Sequence, residues 1–173
     1  PDGALVATGA PDGTARLFRF ADGAPLQTLG GHEEGVYGVT FSPDGKYVAT
    51  ASADGTARLW RTADGSSLTI LSGHQSQVWS VAFSPDGTTV ATTSEDGTAR
   101  LWRVPDGAAL RTLQGHTDWV RGLGFSPDGT QVVTTSGDGT ARIWRAADGA
   151  LVRTIEVETG QVWSAAFAPG GDW

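Results

Sequence analysis

Apolar residues along the chain fall in short runs rich in Val, Thr, Leu and Trp, each bounded by Pro-Asp-Gly or Asp-Gly. No helical period survives between these turns, so the runs predict β-strands. In Ser-Pro-Asp-Gly the proline presets the first central dihedral and the glycine closes the turn. Asp-Gly ahead of Thr-Ala-Arg is a hairpin signal. In the second quarter of the chain the pattern predicts strands at 47–52, 56–61, 67–71 and 77–83. Polar and apolar residues alternate poorly within them, as expected when both faces of a sheet are covered. The fold class these signals predict is all-β.

The punctuation recurs. Phe-Ser-Pro-Asp-Gly begins at Phe41, Phe83 and Phe125, Asp-Gly-Thr-Ala-Arg at Asp12, Asp54, Asp96 and Asp138, and Gly-His at Gly31, Gly73 and Gly115, stepping by 42 residues each time. Units 1–42, 43–84, 85–126 and 127–168, with five further residues, account for all 173. Constant spacing of this size signals a single domain built from four stacked supersecondary units. Pro1-Asp2-Gly3 matches the middle of a segment that recurs later, so the chain begins inside a repeat. The expectation is an excised or engineered segment of something longer, or a chosen cut in a circular structure.

Composition narrows the chemistry. There is no cysteine, which excludes disulfides, zinc ribbons and thiol nucleophiles. Twelve Lys plus Arg against nineteen Asp plus Glu give a formal charge of −7, the wrong sign for a phosphate-binding face. Nucleic-acid and anionic-membrane partners are therefore not expected. No apolar run approaches the ~20 residues of a membrane helix and no signal peptide is evident, so a soluble, cytoplasmic chain is expected.

Gly-His, then Val-Trp-Ser-Val-Ala-Phe-Ser-Pro-Asp-Gly, then Asp-Gly-Thr-Ala-Arg-Leu-Trp, taken together and in register, strongly resemble the WD40 repeat over the whole chain. Arg61, Arg103 and Arg145 stand where that repeat usually has an Asp after its Trp. The resemblance implies a β-propeller with four blades per chain. It also implies a structural hydrogen-bond chain in each blade, running from Asp through His and a hydroxyl to Trp. The sets so implied are His32, Thr50, Asp54 and Trp60; His74, Thr92, Asp96 and Trp102; and His116, Thr134, Asp138 and Trp144. Ser52, Ser94 and Ser136 are the rival hydroxyls. A fourth set keeps Thr8 and Asp12 but has Glu158 in place of His and Phe18 in place of Trp.

The same resemblance implies that a lone last strand at 161–167 is the clasp that closes a ring. Four blades would each subtend about 90° and eight about 45°, and known propellers hold four to eight blades. The favoured expectation is an eight-bladed propeller formed as a homodimer, with 161–167 of each chain pairing with 4–9 of the other. A closed four-bladed monomer, acting as an interaction module of a larger bacterial regulatory protein, is the alternative. Propellers of this kind bind partners on the rim where the Gly-His loops meet the central channel. The positions three and five past the His are Gly35 and Tyr37, Gln77 and Trp79, Trp119 and Arg121, and Gln161 and Trp163. Pro11, Ala53, Glu95 and Gly137 precede the turn Asp. Tyr37, Gln77, Trp79, Glu95, Trp119, Arg121 and Trp163 are the candidate binding residues. Tyr, Trp and Arg are the types that dominate interface hot spots, so a protein or peptide partner is implied.

Two other chemistries compete for the same residues. His, hydroxyl and Asp in each unit are the ingredients of a hydrolytic triad, but a triad needs one asymmetric site with an oxyanion hole, and these sets occur in equivalent triplicate. Three His residues in separate units, without ligand spacing, do not make a metal site. The reading is non-enzymatic, with no cofactor and no metal: a scaffold offering a rigid binding face, or a half-propeller whose primary property is self-assembly.

Overall fold

The computed structural model describes residues 3–158 and 160–170; Pro1 and Asp2, where the offset start of the repeat was read, lie outside them. Described residues form four antiparallel sheets in sequence order. The first has three strands, β1 (Leu5–Gly9), β2 (Thr14–Arg19) and β3 (Pro25–Gly30). The second has β4 (Val36–Phe41), β5 (Tyr47–Ser52), β6 (Ala57–Arg61) and β7 (Ser67–Leu71). The third follows with β8 (Val78–Phe83), β9 (Thr89–Ser94), β10 (Ala99–Arg103) and β11 (Ala109–Leu113). The fourth holds β12 (Val120–Phe125), β13 (Gln131–Ser136), β14 (Thr140–Arg145) and β15 (Leu151–Glu156). No helix is present among the described residues, hence none long and apolar enough to cross a membrane.

Each sheet is a meander because every link is short enough for a tight turn. In Ser42-Pro43-Asp44-Gly45 the Asp44 carboxylate accepts from the Ser42 hydroxyl at 2.6 Å and from the Lys46 amide at 3.1 Å, and Gly45 takes the φ of +72° that closes the turn. The poor alternation of the strands has its cause in stacking. In β5, β9 and β13 every residue after the first is buried: another sheet covers each face of β5 and β9, and the third sheet and residues 161–167 flank β13.

The seams between sheets repeat one knob-and-hole design. Trp60 and Val48 of the second sheet enter a pocket of Ala15, Leu17 and Leu29 from the first, with Val36 of β4 alongside. Trp102 and Val90 meet Ala57, Leu59, Leu71 and Val78 one seam further on. Trp144 and Val132 meet Ala99, Leu101 and Leu113 at the third. Burying an indole at each seam removes apolar area from water worth about 1.5–3 kcal/mol per large side chain, and this takes the place of cross-links in a chain without cysteine.

Residues 161–167 differ from the expectation of a strand: they form no ladder. A strand needs a paired edge, and the ladder edge of β1, their expected partner, is not reached within the chain. They nevertheless sit against β12. The Val162 amide donates to the Ser136 carbonyl at 3.0 Å, the same link that Val36 makes to Ala10 at 3.0 Å where the second sheet meets the first. Neither a closed ring nor a two-fold dimer is therefore part of the described structure.

Candidate functional site

The His-containing sets form the framework beneath the rim. In the second sheet His32 Nδ1 lies 2.8 Å from Asp54, His32 Nε2 lies 2.7 Å from Thr50 Oγ1, and Trp60 Nε1 donates to the same oxygen at 2.9 Å. The third sheet repeats this with His74, Asp96, Thr92 and Trp102, and the fourth with His116, Asp138, Thr134 and Trp144, all between 2.8 and 2.9 Å. Direction follows from the groups. The indole N–H can only donate and the carboxylate can only accept, so a neutral imidazole gives its Nδ1–H to Asp and accepts the Thr O–H on Nε2. Burial pushes all three His residues below their ordinary value of 6.5, more strongly than the neighbouring Asp raises them, which keeps them neutral.

The carboxylates respond to the same geometry. Burial alone would raise Asp54, Asp96 and Asp138, but hydrogen bonds from Thr, His and backbone amides outweigh it and hold all three below the usual range, Asp96 at about 2. A fifth member of each set escaped the sequence reading. Thr56, Thr98 and Thr140 donate to the turn Asp at 2.6–2.7 Å, and the repeated Thr of Asp-Gly-Thr-Ala-Arg was the signal available for them. The rival hydroxyls do other work: Ser52, Ser94 and Ser136 donate to the loop carbonyls of Glu34, Ser76 and Asp118 and accept the turn amides.

These sets do not catalyse. Thr50, Thr92 and Thr134 are fully buried, and each hydroxyl is already occupied by both Trp and His, so no substrate atom has access to a nucleophile. Among the described residues no group of three His, Cys, Asp or Glu side chains is arranged to hold a metal ion. The first sheet has no such set. Glu158 lies exposed, and Asp12 instead pairs with Arg16 at 2.7 Å.

Above this framework the rim residues meet. Tyr37 stacks on Trp79 with ring centroids 4.9 Å apart and planes 21° from parallel. The Arg121 guanidinium lies 5.6 Å from the Trp79 ring and 4.7 Å from that of Trp163, bridging the two. Trp163 also touches Trp119, at 5.5 Å. The result is one continuous ladder of Tyr37, Trp79, Arg121 and Trp163, with Trp119 braced beside it, drawn from three sheets and the segment after β15. Gln77 and Glu95 are joined through the backbone, with the Glu95 amide donating to the Gln77 carbonyl at 2.9 Å, and the Glu95 carboxylate accepts from Ser76 at 2.5 Å.

The ladder has a local cause. Strand register slips between Val36 and Gly38, between Val78 and Ser80, and between Val120 and Gly122, leaving Tyr37, Trp79 and Arg121 as the extra residue of a β-bulge. A bulge re-aims the side chain it releases, here toward the rim, and in the second and fourth sheets Gly38 and Gly122 on its far side let the next backbone approach. An ideal Cβ on Gly38 would stand 3.3 Å from the Trp79 carbonyl oxygen. Under Trp119, Gly137 removes a Cβ that would fall 2.6 Å from the indole.

Tyr37 and Trp163 are 53% and 56% exposed, apolar surface of the kind a partner covers. An open cleft of about 770 Å³ lies at the opposite end of the third and fourth sheets. Its polar groups are already satisfied locally: Arg145 by Asp148, and Arg111 by the Ala147 and Leu110 carbonyls.

The comparison with curated proteins returned no match. The family model described as WD domain, G-beta repeat, matches residues 23–61, 65–103 and 107–145, which together are more than half of the chain. With registered Asp, His, Thr and Trp sets in the three complete sheets, the chain belongs to the WD40-repeat family.

Proposed function

We propose that this chain is a rigid protein-interaction module that docks a protein or peptide segment on the ladder of Tyr37, Trp79, Arg121 and Trp163. The observation that carries the reading is the ladder itself: four side chains from separate repeats packed in succession, with Tyr37, Arg121 and Trp163 exposed and Trp79 half-buried between them. Large aromatic and Arg side chains already fixed by packing lose little conformational freedom on binding, which is what makes such residues hot spots. Trp119, against Trp163, would extend the apolar surface, and Gln77 and Glu95 would offer polar contacts to the same partner.

The rim is assembled within one chain. Contact of β4 with β8 and of β8 with β12 supports a single four-bladed chain as the binding unit, in keeping with a module carried by a larger regulatory protein, over a face that forms only in a dimer.

A random peptide library displayed against the immobilised chain tests the reading. Enriched peptides are expected to lose at least tenfold in affinity for Trp163→Ala and Arg121→Ala and to keep it for Arg145→Ala at the opposite end. Peptides that bind all three variants equally would sink it.

A further inference from the structure

The cleft at the end opposite the rim lies wholly between the third and fourth sheets, and it marks where the third seam departs from the second. At the second seam Val104 packs with Leu68 and Phe83 against the core, and Pro105 follows it. One repeat on, the same walls recur as Leu110 and Phe125, both half-buried, but Ala146 and Ala147 stand in the places of Val104 and Pro105. Two methyls thus replace an isopropyl group and a prolyl ring. The loop also stands further off. An ideal Cβ on Gly107 would lie 2.8 Å from Thr69, whereas on Gly149 it would lie 3.3 Å from Leu113. The space left is the open cleft of about 770 Å³, a size that holds small ligands and peptide ends.

Charge is unevenly spread along it. The third sheet runs β11, β10, β9, β8, so the β8–β9 turn with Asp86 lies at one end of the cleft and Arg111 of β11 at the other. In the fourth sheet Asp128 of the β12–β13 turn and Ala147 of the β14–β15 loop are placed in the same way. Ser84 and Thr88 donate to Asp86, and Ser126 and Thr130 to Asp128. These bonds hold both carboxyls below the usual range, and therefore charged. At the far end Arg111 crosses the seam. Its Nε and Nη2 donate to the Ala147 carbonyl at 3.1 and 2.7 Å, and its Nη1 to the Leu110 carbonyl at 2.6 Å. The carbonyls fix the guanidinium without balancing its charge, and two of its five N–H groups are left over. Crossing the seam does not itself need a cation: at the first seam Gln27, the counterpart of Arg111, reaches the Ala63 carbonyl at 3.3 Å.

We infer that this cleft captures the C-terminal end of a peptide, with the carboxylate on Arg111, a branched aliphatic or prolyl side chain over Ala146 between Leu110 and Phe125, and a basic residue toward Asp86 and Asp128. Carboxylate and apolar group must sit close together, because the guanidinium is bonded to residue 147 and the vacated space begins at 146. A C-terminal residue carries both on one Cα. The two ends of the cleft are two to three strand spacings apart, roughly 10–14 Å, the length of about three extended residues. A fixed guanidinium with N–H groups to spare makes charge-assisted bonds to a terminal carboxylate. This site shares no residue with the rim and does not rest on the rim reading.

Titrating the ¹⁵N-labelled chain with N-acetyl-Lys-Val-Pro, as the free acid and as the C-terminal amide, tests it. The acid is expected to shift the amides of Asp86, Arg111, Gly129 and Ala146 and to bind at least tenfold more tightly than the amide. Two variants copy residues that other seams already accommodate. Ala146→Val, as at Val104, should abolish binding by filling the space, and Arg111→Gln, as at Gln27, should abolish the preference for acid over amide. Equal binding of acid and amide by the unmodified chain would overturn the inference. So would shifts confined to other residues, undiminished binding by Ala146→Val, a preference retained by Arg111→Gln, or no shift at millimolar peptide.

Discussion

At the residue scale, the buried His residues make stability depend on pH in a defined direction. His32, His74 and His116 have folded pKa values below the 6.5 of the unfolded chain, because burial disfavours the imidazolium. Their contribution is complete above that value. As pH falls below 6.5 the unfolded chain takes up protons that the folded chain refuses, and stability is lost toward the folded pKa. The turn carboxylates act in the same sense at lower pH: Asp96, at about 2 when folded, adds stability above its ordinary 3.8 that is lost as pH falls from there. Thermal melts should show a midpoint nearly flat from pH 7 to 8 that falls by several degrees between about pH 6.5 and 5. A midpoint that rises on acidification across that window would mean that the imidazoles are charged in the fold.

At the element scale, the turns, strands and repeat were legible because each is written locally. Pro-Asp-Gly and Asp-Gly fix where the chain reverses, and the structure begins β5 at Tyr47 and β7 at Ser67, as the turn spacing requires. The bulges were not legible. Nothing in Val-Tyr-Gly, Val-Trp-Ser or Val-Arg-Gly announces an extra residue, since a bulge is a mismatch between two strands and a sequence shows one at a time. Positions three and five past the His could be assigned to the rim by resemblance, but their stacking on one another needed the bulges to aim them.

One consequence can be checked at the bulge of the fourth sheet. An ideal Cβ on Gly122 would lie 2.9 Å from the Trp163 carbonyl oxygen and 3.1 Å from the Ser164 Cα. The branched side chain of Gly122→Val should therefore lift 161–167 off β12. Chymotryptic cleavage after Trp163 and Phe167 should accelerate several-fold. Gly30→Val, where an added Cβ meets nothing within 4 Å, should leave it unchanged. Equal cleavage in the two variants would show that the close approach at Gly122 does not hold the segment.

At the scale of the whole molecule, stability is carried by seams between neighbours, so it should be unevenly spread, as in other stacked-repeat architectures. The second and third sheets are covered on both faces and each contains a complete Asp, His, Thr and Trp set. The first sheet lacks an inner strand and such a set, and β15 is exposed along its whole length. Sequence symmetry hides this difference, because the units read alike while, among the described residues, the first and fourth sheets meet another sheet on one face only. Amide hydrogen exchange followed by mass spectrometry should find β5, β6, β9 and β10 protected longest and β1 and β15 exchanging first under dilute conditions. Protection of β1 and β15 as strong as that of β9 would instead mean that coverage by neighbouring sheets does not set the order of opening.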